Sequence, residues 1–149
     1  MKQIIYSIIA IAILFSVNAC NDSSQSEKAK SDTLATAIDS IDANTIQVYY
    51  FHGSIRCHTC VSVDENTHQY LKDLFPQKID EGDIIFKSIN IDKNEQPDLV
   101  EKYQIYAQTL LFIKGDKVID ETEDAFKYVT TNPKKWKNLV EKITNSLLN

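Results

Sequence analysis

A chain of 149 residues, 43% of them hydrophobic, is long enough for one domain with appendages. Its 21 acidic and 16 basic residues give a net charge of −5 without a basic cluster, so nucleic-acid binding is not expected. The three glycines all fall in candidate turns, no glycine-rich dinucleotide fingerprint is present, and no cofactor is expected.

Residues 1–20 open with Lys2, continue as an apolar run from Ile4 to Val17, and end Val17-Asn18-Ala19-Cys20. A basic start, a short apolar stretch and a small residue before a cut describe a secretory signal. A transmembrane anchor is the alternative, but the run of about 14 residues is short of the roughly 20 that span a bilayer. The small residue before cysteine resembles the lipobox of bacterial lipoproteins. That resemblance implies a signal peptide over residues 1–19, lipid transfer to Cys20 and membrane attachment in the cell envelope, with the domain facing the periplasm or exterior. An ordinary secreted protein is the other reading.

Residues 20–45 are expected to be a lipidated, flexible tether. Asn21 to Lys30 has nothing to bury, and Leu34, Ile38 and Ile41 recur at a spacing that allows only a marginal helix. A flexible chain of this length holds the domain on the order of 25–30 Å from its anchor.

The folded domain is placed at 46–149. Ile46 to His52, rich in β-branched and aromatic residues, predicts a strand. After Cys60, Val63, Thr67, Tyr70/Leu71 and Leu74/Phe75 recur with a helical period that Pro76 stops. Glu81-Gly82-Asp83 is a turn, and Ile84 to Ile91 reads as a strand covered on both faces. A short helix follows with Pro97 in its first turn and Leu99, Val100 and Tyr103 facing the core. Thr109 to Ile113 and Val118 to Thr122 predict two strands joined by a tight turn over Lys114-Gly115-Asp116-Lys117. Glu123 to Thr131 shows no readable period. Asn132 caps a last helix with Pro133 at its first position, its apolar stripe being Trp136, Leu139, Val140, Ile143 and Leu147. The order β-α-β-α-β-β-α predicts an α/β fold, a mixed four-stranded sheet flanked by helices, parallel where crossovers connect and antiparallel at the hairpin.

Chemistry concentrates in Phe51-His-Gly-Ser-Ile-Arg-Cys-His-Thr-Cys60. Once Cys20 carries lipid, Cys57 and Cys60 remain as one pair. A disulfide across so short a gap removes little chain entropy, so stapling explains the pair poorly. Thiol–disulfide exchange fits better. Cys57 sits where a helix N-terminus stabilises a thiolate, and Cys60, one turn on, can resolve a mixed disulfide. Arg56 and His58 push the thiol in the same direction. Metal or metalloid binding by the two thiolates, with His52 as a further ligand, is the alternative. Arg56 is expected on the surface, His58 either tunes the thiolate or is a solvated turn residue, and His68 lies on the helix surface. Trp136 and Tyr49-Tyr50-Phe51 are core by pattern.

Element order, with Cys-x-x-Cys opening the first helix, resembles the thioredoxin fold across residues 46–148. Ser88 to Asn94 is similar to that family's second strand and its exit, Leu99 to Ile105 to the segment before its substrate loop, and Thr109 to Gly115 to its third strand and hairpin. The resemblance implies a protein thiol or disulfide as partner, Cys57 as nucleophile and Cys60 as resolving thiol, in a monomer. The chain departs from the family at three places. The cis-proline position before the third strand falls on Gln108 or Thr109, and a threonine there would leave the site more open. The usual buried acid is absent, with Tyr49 or Tyr50 in its neighbourhood. The dipeptide between the cysteines is His58-Thr59, which should raise the reduction potential relative to Gly-Pro. More narrowly, Tyr49-Tyr-Phe-His-Gly-x-x-Arg-Cys-x-Thr-Cys60 resembles exported proteins classed as ArsF-type nitrophenyl compound nitroreductase subunits. That likeness implies at most an accessory thiol subunit of a reductase.

Overall fold

The computed structural model describes residues 43–149; the expected signal peptide, Cys20 and nearly all of the tether lie outside the described residues. The strands are β1 (Ile46–His52), β2 (Ile84–Asn90), β3 (Thr109–Lys114) and β4 (Lys117–Asp120). The helices are α1 (His58–Leu74), α2 (Pro76–Asp80), α3 (Pro97–Lys102), α4 (Thr122–Tyr128) and α5 (Pro133–Leu148), with a 3₁₀ turn at Ile91–Lys93. The sheet order is β2-β1-β3-β4. β1 runs parallel to β2 and antiparallel to β3, and β3 pairs antiparallel with β4. This is the thioredoxin-like α/β fold.

β1 is the axis of the sheet. Ile46, Val48 and Tyr50 on one face, and Tyr49 and Phe51 on the other, are all fully buried. A strand with neighbours on both edges has few positions left for polar side chains, and β1 carries only Gln47, half-buried near its start, and His52 at its end. Ile46, Val48 and Tyr50 join Leu110 and Phe112 of β3 in one core with Val63 and Leu71 of α1 and Trp136, Val140, Ile143 and Leu147 of α5. On the opposite face Tyr49 meets Phe51 edge-on, with ring centroids 6.2 Å apart.

Sequence periodicity fails in three instructive places. Pro76 does end α1, but it also opens α2 as its first residue, where its missing N–H costs nothing. β4 stops at Asp120, two residues short of the expected Thr122, because Asp120 Oδ1 accepts the Thr122 N–H at 2.9 Å. The Thr122 hydroxyl then accepts the Leu110 N–H at 2.9 Å, and α4 begins. α4 occupies the stretch without a period since Ala125 and, just beyond it, Val129 are its buried apolar contacts. The third concerns β2, expected to be apolar and covered along both faces, which lies at one edge of the sheet and is interrupted by a polar, exposed position. It pairs only with β1, and Ser88 is exposed.

The last helix begins as the sequence requires. Asn132 Oδ1 accepts the Lys135 N–H at 3.1 Å, and Pro133 takes the first position. Trp136 is fully buried, and its indole N–H donates to the Thr67 hydroxyl of α1 at 3.2 Å. That bond explains the threonine in the apolar stripe of α1: it satisfies the one polar atom that Trp136 brings into the core. Trp136→Ala should lower unfolding free energy in urea by about 3–5 kcal/mol, and Thr67→Val, which orphans the indole N–H, by about 1–3 kcal/mol. A Thr67→Val variant as stable as the parent would mean that this bond contributes nothing.

Candidate functional site

The site forms where β1 ends. His52 leads into Gly53-Ser54-Ile55-Arg56, and Cys57 is the N-cap of α1. The loop is pinned from below by the exit of β2. Asn90 Oδ1 accepts the N–H groups of Asp92 and Lys93 at 3.0 and 3.3 Å and so winds the 3₁₀ turn. Asp92 Oδ2 then accepts the Ser54 N–H at 2.7 Å. A Cβ on residue 53 would stand 3.1 Å from that same carboxylate oxygen, so this close approach is what calls for Gly53.

Cys57 and Cys60 form a disulfide with a Cα–Cα distance of 5.1 Å. The two cysteines are not equivalent. Cys57 is exposed, whereas Cys60 is 3% exposed. The Cys60 N–H donates to Cys57 Sγ at 3.1 Å. Cys57 sulfur therefore occupies the place of a helix-capping acceptor, facing the unpaired amides and positive end of the α1 dipole. A thiolate on Cys57, were the bridge reduced, would meet that same contact. His58, the first residue of α1, is exposed.

Arg56 is half-buried rather than exposed. Its guanidinium folds back beneath the loop, where Nη2 donates to Asp64 Oδ2 at 2.6 Å and to the Cys60 carbonyl at 3.3 Å. The side chains of Arg56 and Asp64 are only 24% and 15% exposed. The Ser88 hydroxyl of β2 donates to the same Asp64 oxygen at 2.8 Å. The Arg56 guanidinium also lies 5.8 Å from the centroid of the Tyr50 ring. Burial pushes the Tyr50 phenol up to about 12, partly opposed by the positive charge of Arg56, so this tyrosine stays neutral. Asp64 was not singled out from the sequence, although its place four residues after Cys60 on one helix face could have suggested it.

His52 is buried, stacks on Tyr50 with centroids 5.8 Å apart, and has Nδ1 2.8 Å from the Gly53 carbonyl oxygen. Among the described residues no group of three or more His, Cys, Asp or Glu side chains converges, so the geometry offers no third ligand beside the two sulfurs. Gln108 directly precedes β3, and Thr109 is its first residue, opposite Phe51 in the register. The Thr109 hydroxyl turns back to donate to the Ala107 carbonyl at 3.0 Å.

No family model and no curated protein matches this chain. Several solved structures are similar to it. One is described as a malarial protein, at 20% identity over 50% of this chain and 75% of that one, with a TM-score of 0.37. Chloroplastic thioredoxin z is 22% identical over 60% and 73%, with a TM-score of 0.41. The germline-specific thioredoxin Deadhead of Drosophila melanogaster is 15% identical over 75% and 92%, with a TM-score of 0.43. At such identities and scores the strand order and helix placement of this chain, rather than these neighbours, define its fold.

The face of α1 that carries Cys60 and Asp64 continues one turn later with His68, which stacks on Phe86 of β2 at 4.7 Å. Burial, and then the charge of Lys72, lower the His68 pKa below its ordinary 6.5. The unfolded chain thus takes up this proton first, so His68 stabilises the fold while neutral and that stability is lost as pH falls below about 6.5. Urea midpoints measured from pH 7.5 down to 5 should decline, and His68→Phe should flatten that decline while keeping the stacked ring. An unchanged pH slope in the variant would assign the effect elsewhere.

Proposed function

We propose that this domain is a thiol–disulfide oxidoreductase whose nucleophile is Cys57 and whose resolving thiol is Cys60. The observation that carries the reading is the asymmetry of the pair: an exposed sulfur capping α1, bridged to a buried one. A partner can reach the first sulfur and only the first.

In the oxidising direction, a partner thiolate attacks Cys57 Sγ, the 57–60 bond breaks, and Cys60 leaves as a thiolate that takes a proton. A second partner thiolate then attacks the partner sulfur of the mixed disulfide. Cys57 leaves with the bonding electron pair, two electrons having passed to this protein. The reducing direction is the same sequence reversed, with Cys57 thiolate attacking a partner disulfide and Cys60 releasing the reduced partner.

A protein partner is supported by two exposed side chains in loops at this end of the sheet. Ile55, two residues before Cys57, is 92% exposed, and Tyr106, in the loop that leads to Thr109, is 88% exposed. Large side chains held in solvent, one of them two residues from the exposed sulfur, suit contact with another polypeptide. The more specific form of the proposal is a lipid-anchored envelope protein, attached through Cys20, that acts as an accessory thiol subunit of a reductase. The leader pattern and the likeness to ArsF-type subunits support it. Detergent-phase partitioning of the full chain should be lost in Cys20→Ser.

Two measurements test the chemistry. In glutathione buffers a Cys20→Ser chain should show a reversible two-electron transition between about −120 and −270 mV, read by alkylation mass shift. Thiols that resist oxidation and alkylation until a chelator is added would instead make the pair a metal or metalloid site. On a non-reducing gel Cys60→Ser should accumulate covalent partner adducts and Cys57→Ser none. Equal adduct formation by both variants would remove the division of labour.

A further inference from the structure

If the protein exchanges disulfides as proposed above, Cys60 faces a difficulty that Cys57 does not. It must act as a thiolate, yet it is 3% exposed, and apolar surroundings hold a proton on a buried thiol. Its own N–H is already given to Cys57 Sγ. Help from the α1 amides therefore goes to the other sulfur.

Arg56 is placed to meet that difficulty. The side chain of a residue adjoining Cys57 in a surface loop could extend into water. Instead it turns inward, and one nitrogen bridges the Cys60 carbonyl at 3.3 Å and Asp64 at 2.6 Å. Asp64 is itself held by Ser88 from the neighbouring strand. Arg56 Nε and the Tyr50 hydroxyl are both buried without a hydrogen-bond partner of normal geometry among the described residues. Half-satisfied buried polar groups and a partly desolvated ion pair contribute little to stability alone. They make sense where a positive charge is wanted at a fixed point. The other titratable groups around this point are Tyr50 and His52 from β1, His58 and His68 from α1, and Asp64 itself. β2 contributes the neutral Ser88, and its Lys87 lies instead over Tyr49.

We propose that Arg56, positioned by Asp64, makes Cys60 competent as the resolving thiol: the guanidinium fixes the first turn of α1 and favours the Cys60 thiolate, and Asp64 acts only by holding Arg56. In the mixed disulfide the Cys60 thiol gives its proton to solvent, and the resulting thiolate attacks Cys57 Sγ. The 57–60 bond forms, the bond from Cys57 to the partner breaks, and the partner leaves as a thiolate with that electron pair. Arg56 is neither proton donor nor acceptor in this step. It is a positioning residue whose charge stays constant throughout.

The test uses reduced full-length protein carrying Cys20→Ser, mixed with dithionitrobenzoate and followed by stopped-flow absorbance from pH 5 to 9. The first release of the aromatic thiolate reports attack by Cys57, and the second reports resolution by Cys60. Arg56→Gln should move the pH midpoint of the second release upward by about one unit, slowing it about tenfold below that midpoint while sparing the high-pH plateau. Arg56→Lys, which keeps the charge, should hold the midpoint close to that of the parent. Asp64→Asn should raise the midpoint in the parent background but change the rate less than about twofold when added to Arg56→Gln, since a residue acting only through another shows no separate effect. Arg56→Gln slowing the second release equally at every pH would make the residue merely structural and overturn the proposal. An undiminished Asp64→Asn effect in the Arg56→Gln background would overturn the part assigned to Asp64. If the parent releases no aromatic thiolate at all, the exchange reading falls, and this proposal with it; if the parent completes both releases and the variants match it, the proposal alone fails.

Discussion

The contact between the Cys60 amide and Cys57 Sγ, at 3.1 Å, fixes everything else about the site. It makes a sulfur do the work of a helix-capping oxygen, and so binds the start of α1 to the reactive atom. Only from the N-cap position can the Cys57 side chain accept an N–H of the first turn, so the start of α1 and the placement of that sulfur are set together. Where α1 starts is set in turn by how the chain leaves β1. Five residues of that strand, from Ile46 to Phe51 with Gln47 excepted, are fully buried, which anchors its register against both β2 and β3. Asp92 and Asn90 then hold the loop that follows, so the strand end and the helix start are spaced by polar contacts rather than by packing. Apolar burial locates the site; a few hydrogen bonds give it its final geometry.

Those two kinds of constraint leave very different traces in a sequence. β1 and the hairpin were legible because a buried strand and a tight turn restrict composition over several consecutive positions. α1 and α5 were legible because their apolar stripes run for four turns and end in proline or begin at an asparagine cap. α4 was not, since one buried residue within a seven-residue helix makes no period. The edge position of β2 was not either: Ile84, Ile85, Phe86 and Ile89 look alike whether a strand is central or peripheral, and only the order β2-β1-β3-β4 separates the cases.

The inward turn of Arg56 was the least legible feature, and for a definite reason. Its side-chain partner Asp64 lies eight residues on, and Ser88, which holds Asp64, is on another element altogether. Each alone is an ordinary surface residue. Only the pairing of Tyr50 with Ser88 in the parallel register brings the edge strand alongside the first turns of α1 and makes the three a unit. The same register explains why a charge can be tolerated there. β2 is half open to solvent, so the Arg56–Asp64 pair is desolvated enough to keep its geometry and wet enough to avoid the full penalty of a buried ion pair.

This arrangement also accounts for what β1 lacks. A neutral Tyr50 stands beside Arg56, its phenol pushed up to about 12 by burial, and contributes no charge at neutral pH. The ionic groups near the buried sulfur instead come from the loop before Cys57 and from the second turn of α1. Arg56 is tied to the Cys60 carbonyl, and Asp64 to Arg56, by hydrogen bonds rather than by the rigid sheet. A substitution in the loop therefore reaches charge and geometry together, whereas one in β1 reaches packing first. Under the proposed exchange chemistry, the conformation of the loop from Gly53 to Arg56, held by Asp92 at one end and Asp64 at the other, is accordingly the variable that sets how the two sulfurs are presented.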